Sequence, residues 1–198
     1  MCGRFNIDDD TAAEIIKIVR RIDSKKFKTG DVFPSDPAMV LRAEQKEIVA
    51  EVMEWGYTNL PGGKLLINAR SETVMEKPLF RKDYELHRCL VPARMFYEWK
   101  RMTHKDKEKY EFYVPNKILY LAGIYQLSPE GSRFTIITKA AEGCMQDVHH
   151  RMPVILHESE REAWLYSREH AGRLLEGDFH ELQKQKSSGA GYEQLSLF

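Results

Sequence analysis

Arg88-Cys89-Leu90-Val91-Pro92-Ala93-Arg94-Met95-Phe96-Tyr97-Glu98-Trp99 decides the fold class. Arg88 to Pro92 and Phe96 to Lys100 are apolar or aromatic runs of strand length. Tyr110 to Val114, Ile118 to Tyr125 and Phe134 to Thr138 continue the pattern, set apart by polar turns. Upstream, Ala38 to Arg42 and Glu47 to Trp55 read as strands around a polar turn, with shorter strands at Cys2 to Ile7 and Leu65 to Ile67. So many short strands at close spacing predict an α+β single domain: a curled, mainly antiparallel, barrel-like β core with peripheral helices.

Working outward, Ala12, Ile15, Ile16, Val19 and Ile22 recur at helical spacing behind N-cap candidates at Asp8 to Thr11, which predicts a helix over 10–22. A partly helical stretch runs up to His87, and helices are expected at Glu158 to Tyr166 and His170 to Leu175. Lys25 to Lys28 and Leu60 to Gly63 read as loops, and Pro34 and Pro37 punctuate an irregular segment. From Gln183 the hydrophobic pattern is lost, so residues 1–182 are read as the folded domain and 183–198 as a flexible tail with a tether at Lys186 to Gly191.

Thirty basic and 30 acidic residues cancel, so a nucleic-acid site has to be a local patch. Three spread cysteines fit a reducing compartment better than a disulfide scaffold. There is no signal peptide and no run of about 18 apolar residues, which predicts a cytoplasmic protein that does not enter membranes.

Cys2 carries the sharpest chemistry. Removal of Met1 would leave an amine and a thiol on adjacent carbons, with ordinary pKa values of about 7.7–8.0 and about 8.5. Such a pair traps aldehydes, the amine as an imine and the thiol by closing a thiazolidine, and it also serves as an N-terminal nucleophile. Glu98, between Tyr97 and Trp99, fits either a desolvated acid or base, or an outward strand residue paired with a lysine. His149 and His150 are the densest imidazole pair, a pattern more often structural than catalytic. Asn68 and Arg70 fit a turn amide and a surface cation as readily as a grip on a sugar or phosphate. No CxxC or HxxxH spacing supports a metal, and no cofactor is expected.

Met1-Cys2-Gly3-Arg4-Phe5, Asn68-Ala69-Arg70-Ser71-Glu72, the Arg88 to Trp99 run and His149-His150-Arg151-Met152-Pro153 together resemble the four motifs of the SOS-response-associated peptidase family, over roughly residues 2–166. The resemblance implies a curled-β α+β fold and a protein that cross-links to abasic sites in single-stranded DNA, Cys2 forming a thiazolidine with the ring-opened sugar. By the same resemblance Asn68 orients the cross-link, Glu98 is the active-site carboxylate and His149 the catalytic histidine. Arg4, Arg70 and Arg151 are implied as phosphate contacts, and Pro34, Trp55, Ser71 and Thr138 as further DNA-contacting positions. Met95 stands where a glycine is usual, and no second aromatic follows Trp55-Gly56 at Gly62-Gly63. Two other classes compete: a cysteine peptidase acting through Cys2 and His149, in its minimal version on its own Met1, and a non-catalytic DNA-binding module. In the tail, Gln194-Leu195-Ser196-Leu197-Phe198 resembles the short peptide by which bacterial polymerases and repair proteins dock on the replicative sliding clamp, with Leu197 and Phe198 as apolar anchors, Gln194 fixing register and Leu195 among the partner-binding residues.

Overall fold

The computed structural model describes residues 2–22, 27, 29–58, 62–104 and 106–187. Two sheets organise them. One is antiparallel throughout and runs β13 (Gln183–Lys186), β8 (Lys107–Tyr113), β7 (Met95–Arg101), β1 (Phe5–Ile7), β2 (Gly30–Val32). The other curls into a ring: β3 (Pro37–Glu44) pairs β4 (Glu47–Trp55) and β6 (Arg88–Ala93), β6 pairs β9 (Leu119–Gln126), and β9 pairs β10 (Arg133–Ala140). A parallel pairing of Arg133 and Phe134 with Glu54 and Trp55 closes the ring. The expected barrel-like core is therefore present, and its closure abolishes the open sheet edges that short strands otherwise expose. Gly123 is required where β6, β9 and β10 crowd together, because a Cβ there would lie 3.0 Å from Cys89 Sγ and 3.1 Å from the Thr135 carbonyl.

Past the ring, β10 continues between two short strands, β5 (Asn68–Arg70) in parallel and β11 (Arg151–Pro153) antiparallel, while β12 (Ile155–Leu156) pairs β9. The sheets are joined by aromatic packing: Phe5 meets Trp55 at 5.1 Å between ring centroids, and Trp55 stacks on Phe134 at 6.2 Å. All three side chains are fully buried, each contributing roughly 2–3 kcal/mol of burial.

Four helices lie outside: α1 (Asp9–Ile18), α2 (Pro78–Leu86), α3 (Arg161–Tyr166) and α4 (Arg168–Leu174). α1 starts as expected, with the Asp8 carboxylate accepting from Thr11 N–H at 2.8 Å, but it ends at Ile18 rather than residue 22. Val19 is extended, and Ile22 forms a parallel bridge with Ala50. Its main chain serves the sheet while its side chain stays exposed, so it continues the helical spacing only by coincidence. Gln183–Lys186, expected to open the tail, instead adds an edge strand to β8. Its main chain does the pairing, with Lys186 bridging to Glu108 at 2.6 Å, so it needs no apolar side chains. Gln194, Leu195, Leu197 and Phe198 lie outside the described residues. Among the described residues no helix is long and apolar enough to cross a membrane.

Candidate active site

Cys2 enters just before β1 and is 1% exposed. Pairing of β5 with β10 sets Asn68 beside it, and the Asn68 side-chain N–H donates to the Cys2 carbonyl at 3.0 Å. That contact orients the amide, so Oδ1 is the end left over; it is buried and has no hydrogen-bond partner among the described residues. β1 also pairs with β7, which brings in Glu98, a buried carboxylate whose Oε1 accepts from Trp99 N–H at 3.3 Å. His149 follows a 3-10 turn at Gly143–Met145, its N–H bonded to the Met145 carbonyl at 3.0 Å.

These groups act on one another. Burial pushes the Cys2 thiol up to about 12, and the Glu98 carboxylate adds to the effect by disfavouring a second anion. Burial lowers the His149 pKa from its ordinary value, with Glu98 opposing that shift. His149 Nδ1 accepts from Arg151 N–H at 2.9 Å and lies 3.2 Å from the Arg151 carbonyl. The first contact puts the proton of the neutral ring on Nε2. The assembly therefore holds a protonated thiol, a carboxylate and a neutral imidazole around one enclosed residue. Among the described residues no group of three or more His, Cys, Asp or Glu is placed to hold a metal ion.

Arg4 sits on the other side of β1 with its guanidinium over Phe33 at 4.4 Å and Trp99 at 5.1 Å. Asp31 holds this group in place, lying 3.7 Å from Arg4 while accepting from Asn6 at 2.9 Å and the Tyr97 hydroxyl at 2.8 Å. Arg70 is exposed beside β10, and Ser71 N–H donates to the Thr138 carbonyl at 2.8 Å. Arg151 also donates to that carbonyl, at 2.5 Å, and grips Glu72 with both terminal nitrogens. The pair holds Glu72 down to about 2.

Two positions expected to contact DNA are enclosed in this structure. Trp55 is fully buried, with Nε1 donating to the Ile67 carbonyl at 3.0 Å and its ring stacked in the core, so it has no face for a base. The Thr138 side chain is equally enclosed and donates to the Ala69 carbonyl at 3.3 Å. Pro34 lies half-buried in the turn after β2. Sequence reasoning missed Asp31, Phe33 and Glu72. Phe33 beside Pro34, and an acid at Asp31 one strand away from Arg4, are signals that become readable only once the β1–β2 pairing is known.

A closed β ring beside a second sheet, with a carboxylate, an amide and an imidazole gathered around the buried Cys2, defines a class of protein. The chain matches the SOS response associated peptidase (SRAP) family over residues 1–188 and belongs to it. It is 34% identical over 181 residues to the abasic site processing protein YoqW of Bacillus subtilis, with 83% of this chain and 80% of that protein covered. It is 39% identical to YoaM of the same organism, covering 83% and 79%, and 25% identical to YedK of Escherichia coli, also covering 83% and 79%; both bear the same description. A crystal structure of a protein from Bacteroides thetaiotaomicron shares the fold, with a TM-score of 0.77 at 24% identity over 93% of this chain and 91% of that one.

Proposed function

We propose that the protein binds single-stranded DNA and joins Cys2 covalently to abasic sites, shielding the lesion during repair or replication. The observation that carries this reading is the hydrogen bond of Asn68 to Cys2, with Glu98 close enough to act on both the Cys2 thiol and His149. Relatives named abasic site processing proteins support the substrate. Single strands suit the site because the sugar has to leave its stack to reach an enclosed residue.

With Met1 removed, the steps balance as follows. Glu98 takes the C1′ hydroxyl proton as the bond from C1′ to the ring oxygen breaks and passes it to that oxygen, which the Nε2–H of His149 polarises, leaving the aldehyde and a free hydroxyl. The Cys2 amine adds to C1′, and both of its protons leave with the former carbonyl oxygen as water, giving an imine. The thiol sulfur then adds to C1′ while Glu98 carries the thiol proton to the imine nitrogen, closing the thiazolidine and leaving Glu98 a carboxylate. Loss of the C2′ proton from the same imine is a side exit to strand scission, a weak lyase activity. The Asn68 Oδ1, buried and without a hydrogen-bond partner among the described residues, supports this reading as an acceptor for the substrate. The tail peptide Gln194 to Phe198 would dock the protein on the sliding clamp, placing it in the cytoplasm at the nucleoid where polymerases stall.

The test is a denaturing gel of protein incubated with single-stranded oligonucleotides with and without an abasic site. A stable adduct is expected only with the abasic strand, and Cys2→Ala gives one only after borohydride reduction. A stable Cys2→Ala adduct without reductant overturns the thiazolidine, and cleavage of peptides alone would favour the peptidase.

A further inference from the structure

The antiparallel sheet turns Phe96 and Phe112, stacked at 5.1 Å, toward the core. The register then puts Trp99 and Arg101 of β7 beside Lys109 and Lys107 of β8 on the opposite, outer face. Arg4 and Phe33 lie on that face too, and the Lys109 ammonium sits 3.9 Å from the Tyr97 ring centroid. Cations and aromatic rings therefore alternate across the strands.

The charges on this face are unevenly spoken for. Asp31 accepts from Asn6 and Tyr97 beside Arg4, and Glu111 accepts from Gln185 at 2.7 Å and Ser187 at 2.8 Å. Arg101, Lys107 and Lys109, by contrast, form no ion pair among the described residues. Lys109 is held below the ordinary lysine pKa, first by burial and then by Arg4, with Asp31 and Glu111 opposing the shift from positions where they bond other groups.

We propose that this outer face is a track for the DNA strand flanking the lesion, with Arg101, Lys107 and Lys109 taking phosphates beyond Arg4 and bases lying against the rings between them. Five strands about 4.8 Å apart span roughly 19 Å, room for about four nucleotides, the low end of site sizes for single-strand-binding folds. The track deepens the single-strand reading above and rests on it, but intact DNA tests it separately from cross-linking.

Binding of labelled oligothymidylates of roughly 4 to 16 nucleotides is measured against salt for the full chain and for a triple variant, Arg101→Ala with Lys107→Ala and Lys109→Ala. Three lost phosphate contacts lower the salt slope by about 2 and long-strand affinity by about 10-fold or more. The yield of adduct on a short abasic oligonucleotide at saturating concentration stays unchanged. Unchanged slope and affinity overturn the track, as does an equal loss on blunt duplex, which marks plain charge attraction without base stacking. Lys107→Glu alone, at an exposed edge position, gives the same direction without disturbing Tyr97. Absence of any adduct from the unaltered protein would defeat the cross-linking reading and leave the oligothymidylate result to decide the track.

Discussion

The side-chain amide of Asn68 donates to the main-chain carbonyl of Cys2 at 3.0 Å, linking the first described residue to a strand 66 positions later. Cys2 is thereby positioned by the strand that pairs with the ring, through the pairing of Asn68 with Ile136 of β10. Asn68→Ala loses this tie, and Asn68→Asp replaces the donor with an acceptor facing a carbonyl. Both are expected to slow adduct formation, Asp more than Ala. A buried carboxylate left unpaired costs more than the ~1 kcal/mol of the hydrogen bond itself. Single-turnover rates on an abasic oligonucleotide check the order; equal rates for the two variants would refute it.

Lowering of the His149 pKa by burial keeps the ring neutral near pH 7. Protonating Nδ1 breaks the hydrogen bond from Arg151 N–H that aims the ring, so the adduct rate should fall on acidification through that lowered pKa, below the ordinary value of about 6.5, and His149→Gln should be slow and lack this limb. The sign for stability runs the same way. Between the lowered pKa and the ordinary one the unfolded chain binds more protons at this residue, so its contribution falls as pH falls. A pH–rate profile for both proteins decides the matter.

Glu72 occupies the guanidinium that the family resemblance assigns to phosphate. Glu72→Gln should raise affinity for single-stranded DNA and steepen its salt dependence, because Arg151 then has no competing anion. Glu72 is half exposed, so the loss of stability at neutral pH should stay within about 1 kcal/mol. Its lowered pKa means the stabilisation is present above about 4.5 and disappears as pH falls toward about 2. The two proteins should therefore converge in stability over that window, as acid-unfolding curves would show.

Trp55→Phe separates core from groove. It removes the hydrogen bond to the Ile67 carbonyl and part of the stack on Phe134, and should destabilise by about 2 kcal/mol. The salt slope of DNA binding should not move. A reduced slope in a protein that remains folded would restore Trp55 to the DNA surface.

Strand content and the identities of Cys2, Asn68, Glu98 and His149 were legible in the sequence, because apolar runs and short motifs are local. What was not legible depends on partners far away. Ile22 continues a helical spacing yet serves a sheet, since periodicity cannot tell which neighbour an apolar side chain will meet. Gln183–Lys186 lacks apolar residues altogether and is a strand only because β8 offers a free edge. Trp55 and Thr138 carry side chains found in cores and in binding grooves alike, and the pairing of β10 with β4 and β5 decides for the core.

Ring closure also orders events in time. β4 waits for β10, whose Arg133 and Phe134 pair with residues some 79 positions earlier. A ribosome-bound chain that stops short of Arg133 therefore holds β4 and β9 with unpaired main chain, prone to associate with other nascent chains. Long-range pairings of this kind put folding toward the millisecond-to-second range, with arrival of β10 as the slow event.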